Sequence, residues 1–235
     1  MPSEPSSSPG PRKAVLAAVI GAFVLMQVVL VFAVRYDTLD MDVGPNTQPS
    51  PDFSGTISIG QTFVAAGANI ARIDLMFGTH DRKPSYRIGF ELFDAGRPDT
   101  PLAVSGIEAA AVRNNLFNEF RFPTVRGTRG RTFLLRLLAP AAVSADAVAL
   151  WTNPADIHPG GTMMYNGAPA PGDLMFRVYS RRTIISELGR LVQKNPGPLG
   201  SPLLFIIVIL LLEASLIWTL WSIVDRIFAR RGPHV

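Results

Sequence analysis

The sequence of 235 residues contains no cysteine and only three histidines, His80, His158 and His234. Without thiols there is no disulfide framework, no thiolate-held zinc or iron–sulfur cluster and no cysteine nucleophile. No H-E-x-x-H or G-x-S-x-G pattern accompanies the histidines, and carboxylate spacing alone places no pair across a glycosidic bond, so the chain reads as non-enzymatic, with no cofactor and no metal. Charge is also scarce: 17% of the residues are charged against 48% hydrophobic, with a mean hydropathy of +0.25. Such a balance is too apolar for an ordinary soluble domain. The 20 glycines and 20 prolines follow no G-X-Y period, which excludes collagen and argues against an all-helical bundle.

The formal charge of +4 is unevenly placed. Between residues 36 and 182 the 14 basic residues are matched by 14 acidic ones, so the whole surplus lies towards the chain ends. Basicity confined to the flanks of apolar stretches indicates a lipid surface, and no nucleic-acid partner is expected.

Residues 14–34 carry no charge and one strongly polar side chain, Gln27; residues 203–224 carry one charge within the apolar run, Glu213. Each stretch is long enough to cross a hydrocarbon core of about 30 Å. The first exceeds a signal-peptide core and lacks an A-x-A site after it, so it is expected to be retained. Arg12 and Lys13 precede it, Asp37, Asp40 and Asp42 follow it, and Arg226, Arg230 and Arg231 follow the second stretch. By the positive-inside rule both termini are cytoplasmic in a two-pass protein of a bacterial inner (cytoplasmic) membrane, and the middle is periplasmic. A carboxylate at the centre of a span costs on the order of 2.5 to 3.5 kcal/mol, so Glu213 needs a polar partner. Gln27 sits at a depth only about 4 to 5 Å away in an antiparallel pair; a helix of another integral membrane subunit is the alternative. Trp218 and Trp221 are expected as anchors at the membrane interface.

Between the stretches, side chains alternate. Ile73, Leu75 and Phe77 share one face, as do Tyr86, Ile88, Phe90 and Leu92, then Phe120 and Phe122, Phe133, Leu135 and Leu137, Val148 and Leu150, and Leu174, Phe176 and Val178. Turn residues separate them, among them Asn114-Asn115, Gly127 with Gly130, Asn166-Gly167 and Pro171-Gly172. The expected fold class is mainly β, an antiparallel β-sandwich, jelly-roll-like, between two transmembrane helices. The domain boundaries follow: 1–13 a disordered cytoplasmic N-terminus, 14–34 the first transmembrane helix, 35–182 the periplasmic sandwich, 183–201 an amphipathic interfacial helix with a Pro/Gly elbow, 202–225 the second transmembrane helix and 226–235 a cytoplasmic tail. The amphipathic helix has a second reading, packed under the sandwich.

Gln61-Thr62-Phe63, Phe120-Arg121-Phe122-Pro123, Ala149-Leu150-Trp151, Gly160-Gly161, Tyr165-Asn166-Gly167 and Gly172-Asp173-Leu174 occur in this order. Over about half the chain this wording resembles the extracytoplasmic jelly-roll domains, similar to carbohydrate-binding modules, of bacterial inner-membrane proteins of glycan synthesis. The resemblance implies a non-catalytic domain that binds glycan or another subunit. Sugar recognition favours exposed aromatics with polar neighbours, which singles out Trp151 and Tyr165 with Asn153 and Asn166. Arg126, Arg129 and Arg131 form the densest basic loop of the domain, suited to phosphate, acidic glycan or a partner. Asp37, Asp40 and Asp42 are an oxygen-rich run without the order of a calcium-binding loop. The expected function is an accessory, structural subunit of an inner-membrane complex, with the lipid bilayer and other membrane subunits as partners; a tethered glycan-binding module in envelope polysaccharide synthesis is the alternative.

Overall fold

Period-two alternation punctuated by turn residues produces strands throughout the middle of the chain. The structure, a computed structural model, describes residues 11–45, 47–194 and 201–229. It separates into a β unit, Tyr36–Arg182, and a helical unit drawn from both flanks, up to Arg35 and from Thr183.

The strands are β1 (Arg35–Val43), β2 (Gln48–Pro49), β3 (Ser58–Val64), β4 (Asn69–Gly78), β5 (Arg87–Asp94), β6 (Ala103–Glu108), β7 (Phe117–Arg126), β8 (Thr132–Leu138), β9 (Ala149–Asn153), β10 (Met163–Tyr165), β11 (Ala168–Ala170), β12 (Asp173–Leu174) and β13 (Phe176–Thr183). One sheet runs β1-β13-β4-β9-β12, with β7 added to β4 and β2 to β9; the other runs β11-β10-β3-β8-β5-β6. The pairs β3–β8, β4–β7 and β5–β8 are antiparallel. Each apolar series read from the sequence points into one core shared by both sheets. Phe90 of the second sheet stacks on Phe120 and Phe122 of the first at 5.1 and 5.6 Å, and Phe63 meets Phe176 across the core at 5.5 Å. This is a mainly β, sandwich-like fold.

A polar clasp crosses that core. Gln61 on β3 and Asp173 on β12 are 0% and 1% exposed. Gln61 Nε2 donates to Asp173 Oδ1 at 2.8 Å, and Gln61 Oε1 accepts from the Leu174 amide at 3.0 Å. Asp173 Oδ2 accepts from the amides of Ile157 and His158, both at 2.8 Å. A buried carboxylate that accepts this many hydrogen bonds holds the loop before β10 and both sheets together.

The entry and exit strands, β1 and β13, are neighbours. Their acidic and basic residues interlock: Asp42 with Arg177 at 3.0 Å, Asp37 with Arg181 at 3.0 Å and with Arg121 at 2.7 Å, and Asp40 with Arg182, the last pair almost wholly buried. The acidic run outside the first apolar stretch is therefore half of an ion-pair ladder. A side chain at Gly67 would collide with the Asp40 carboxylate and the Ser180 hydroxyl beneath it, so glycine is required there. On the outer face of β4, Arg72 contacts Asp74 at 2.9 Å and lies 3.6 Å over the Tyr179 ring. Burial pushes the Asp74 carboxyl above the usual 3.8, outweighing the adjacent guanidinium.

The helical unit contains α1 (Pro11–Ala33), α2 (Ile184–Lys194) and α3 (Pro202–Ala229). Thr183 and Ser186 cap α2 reciprocally, each amide donating to the other's hydroxyl at 3.3 and 3.1 Å. Helix starts at Pro11, inside the stretch expected to be disordered, and α3 continues to Ala229, past the expected boundary at 225. The expected disorder of residues 1–10, the elbow at 195–200 and the tail from 230 onward lie outside the described residues. Side chains are described without a break over 18–33 in α1 and 207–223 in α3, and among the described residues no helix is long and apolar enough to cross a membrane.

Gln61→Leu removes the donor to Asp173 and the acceptor for Leu174 while filling similar volume. The expected loss is about 2 to 4 kcal/mol of sandwich stability, read as a lower denaturant midpoint with unchanged slope.

Candidate functional site

Within the helical unit, an apolar groove of about 130 Å³ is lined by Val24, Val28 and Val31 of α1, Ile185 and Leu188 of α2, and Ile209 and Leu210 of α3. The apolar side of α2 thus packs on the other two helices. Gln27 and Glu213 share this groove. With the amide nitrogen of Gln27 turned to the carboxylate, it donates to both Glu213 oxygens, one of them at 3.2 Å. The two polar residues noted in the apolar stretches therefore meet each other within the chain. Within an apolar groove the alternative to this bond is a carboxyl group without a polar partner, and that difference stabilises the helix pair. Trp218 is 75% exposed while Trp221 is half-buried on the next turn; the Thr219 and Ser222 hydroxyls close back onto the carbonyls of Ser215 and Trp218 at 2.8 Å.

The expected sugar-contact set does not converge. Trp151 lies on the outer face of β9, half-buried, opposite to core Leu150, and its indole Nε1 donates to Asn115 Oδ1 at 2.9 Å. Tyr165 instead pairs with Ile59 and packs against the core from β10, because alternation along β10 puts Met164, not Tyr165, outside. Asn153 is buried and holds the Pro45 carbonyl at 2.8 Å, a structural bond. Asn166 is exposed on the β10–β11 hairpin of the other sheet.

Around Trp151 the structure gathers residues that sequence reasoning placed only in turns. A methyl group on Gly78 would stand 3.6 Å from the indole nitrogen and 4.0 Å from His80 Nε2, so both border the same hollow. His80 Nε2 lies 3.8 Å from Asp52, which Arg82 also pairs with at 2.5 Å. The available signal was the turn chemistry itself: His80 and Asn115 both have positive φ, 49° and 56°. His158 is held through its backbone by Asp173, with its ring edge-on to Phe176 at 6.1 Å. Among the described residues no group of three or more His, Asp or Glu is placed to hold a metal.

The basic loop divides. Arg126 and Arg129 are exposed and make no ion pair among the described residues, whereas Arg131 pairs with Asp94 and lies 5.4 Å from the Phe133 ring. The Arg131 hydrogen bond, with help from the Gly96 amide, holds the Asp94 carboxyl below its usual 3.8. Because the folded value is depressed, the stabilisation from this pair is complete above pH 3.8 and disappears as pH falls through the folded value.

Two outcomes follow from this geometry. In a double-mutant cycle of Gln27→Leu and Glu213→Leu, read by detergent-induced unfolding of the helical unit, the expected coupling is about 0.5 to 2 kcal/mol, and additivity would remove the bond from the account. In Arg131→Gln, a carbon-13 carboxyl titration should show the Asp94 midpoint moving up towards 3.8. No family model matches the chain, and no curated protein matches it.

Proposed function

We propose that this chain is a non-enzymatic accessory subunit of a bacterial inner-membrane assembly, with α1 and α3 crossing the bilayer and the sandwich presented on the periplasmic side. The observation that carries the reading is the Gln27–Glu213 bond, one carboxamide and one carboxylate closed on each other between two otherwise apolar helices. Such a bond persists where water does not compete for it. At about 1.5 Å per residue the 23 residues of α1 extend about 35 Å, and the 28 of α3 about 42 Å, more than a hydrocarbon core. Large apolar side chains stand exposed along both helices, among them Phe23, Leu25, Phe32, Leu211, Leu212 and Leu216; in water they would form an aggregation-prone surface, in lipid they are solvated.

With Glu213 satisfied inside the chain, docking in the membrane falls to these apolar faces and to Trp218, whose large exposed ring suits a neighbouring helix or the interface. The sandwich supplies a second, aqueous contact, in keeping with its likeness to the jelly-roll modules of glycan-synthesis proteins.

The test is gentle solubilisation of native membranes followed by size fractionation and mass spectrometry. The chain should resist alkaline extraction and travel with a stoichiometric integral-membrane partner. A lone monomer across several mild detergents, or release by alkali, is the result that overturns the reading.

A further inference from the structure

We propose that the β unit binds anionic phospholipid headgroups through a basic rim at the end where the chain enters and leaves it, an inference that rests on the subunit reading above. The strand registers define that end. Arg126, the last residue of β7, opposes Asn69, the first of β4, and Ser180 of β13 opposes Ile70. Val64, the last residue of β3, opposes Thr132, the first of β8, and Phe133 opposes Asp94, the last of β5. The loops 65–68, 95–102 and 127–131 therefore begin and end beside the last residues of β13, where Arg181 pairs with Asp37 near the start of β1. Only Val34 separates α1 from β1, and no residue separates β13 from α2.

These loops are locked into one another. Thr128 is fully buried; its hydroxyl donates to the Gly67 carbonyl at 2.7 Å and its amide to the Ala68 carbonyl at 3.0 Å. The Gly130 amide donates to the Ala65 carbonyl at 2.8 Å, and the Ala65 amide to the Arg131 carbonyl at 3.0 Å. Positive φ at Gly127 and Gly130, 66° and 75°, turns the chain on both sides of Thr128. Thr128 thus points inward while Arg126 and Arg129 stand exposed. Arg97 is held through its amide, which donates to the Asp94 carbonyl at 2.8 Å, and the Asp94 carboxylate is itself paired with Arg131.

Charge at this end is uncompensated. Of the 14 basic residues between 36 and 182, nine make ion pairs among the described residues. Three of the other five, Arg97, Arg126 and Arg129, are exposed on this rim, and the loops hold one further carboxylate outside the ion pairs, Asp99. Lys83 and Arg113 belong to the loops of the opposite end, where Asp81 and Asp146 match them in number. The three rim guanidinium groups share no partner among the described residues, so they suit an extended array of phosphates rather than one enclosed anion. No aromatic residue occurs in the three loops to stack a base, which sets nucleic acid aside. Tyr36, exposed at the start of β1, adds an amphipathic ring of the kind that settles at headgroup level.

The test uses the full chain in bilayer nanodiscs made of phosphatidylcholine alone or mixed with phosphatidylglycerol. Because the sequence has no cysteine, Ala66→Cys gives one labelling site beside the rim, and Val143→Cys gives one on an exposed loop of the opposite end. The ten residues of β4 between these ends extend about 33 Å, so energy transfer to a headgroup-labelled lipid tells the two labels apart. Transfer from position 66 should rise when phosphatidylglycerol is present and fall back in high salt, while transfer from position 143 stays lower throughout. Arg126→Gln and Arg129→Gln should each lower the ratio of docked to undocked β unit about fivefold, the weight of one basic residue at an anionic surface. Arg126→Lys should retain docking, and Lys83→Gln should leave it unchanged. A chain that incorporates but gives equal transfer from position 66 in both lipids, or transfer indifferent to the rim arginines, overturns this inference alone. A chain that does not incorporate overturns the subunit reading and this inference with it.

Discussion

The buried bond between Gln61 and Asp173 is the constraint on which the rest of the sandwich depends. It is a buried cross-sheet contact, so it fixes the spacing of two layers whose shared core is otherwise built from interchangeable apolar side chains. The carboxylate also captures the amides of Ile157 and His158, which sets the path of the loop before β10. Gly161 closes against the Thr62 carbonyl and Gln61 in that loop, and Thr62 exchanges hydrogen bonds with Thr162. The position of β10 is thus inherited from one buried carboxylate. Loss of Gln61 would leave Asp173 Oδ1 and the Leu174 amide buried without a partner, which is why such a clasp is costly to break although it is not in itself a large source of stability.

The outer faces of the two sheets use polarity in opposite ways. On the first, Arg72, Arg121, Arg177 and Arg181 are each matched by a carboxylate, and Arg72 and Arg177 lie 3.6 and 3.9 Å over Tyr179 and Phe117. That lattice satisfies itself. Its individual exposed pairs contribute little, about 0 to 1 kcal/mol each, but their arrangement on neighbouring entry and exit strands favours one register over its alternatives. On the second sheet Gly60, Gly89 and Gly106 leave the surface low around two ion pairs, Arg136 with Glu91 and Arg87 with Glu108.

The inward-facing series from Ile73 to Val178 were legible because burial of one face imposes period two on the side chains. The Asn166-Gly167 turn was legible because positive φ restricts the residue choice. The polar pair Gln27 and Glu213 stood out for a related reason: each is an exception in an apolar run, and exceptions need partners. Strand β1 was not legible, because Asp37, Asp40 and Asp42 depress strand propensity and their compensating arginines lie about 140 residues away in the sequence. Trp151 and Tyr165 were grouped by residue type and separated by topology. They fall on different sheets, and the one-residue offset within β10 turns Tyr165 inward.

Connectivity adds a mechanical consequence. The chain enters and leaves the β unit through adjacent strands of the first sheet. Load on the second sheet reaches those strands through the aromatic contacts of Phe63 with Phe176 and of Phe90 with Phe120, through the Gln61–Asp173 clasp, and at the edge through the Ser105 hydroxyl, which donates to the Arg121 carbonyl at 2.7 Å. Shear on an ion-pair ladder can be relaxed by water, whereas separation of a packed core exposes apolar area at about 25 cal/mol per Å². The self-satisfied charge lattice therefore belongs on the sheet that carries both the entry and the exit strand of the β unit.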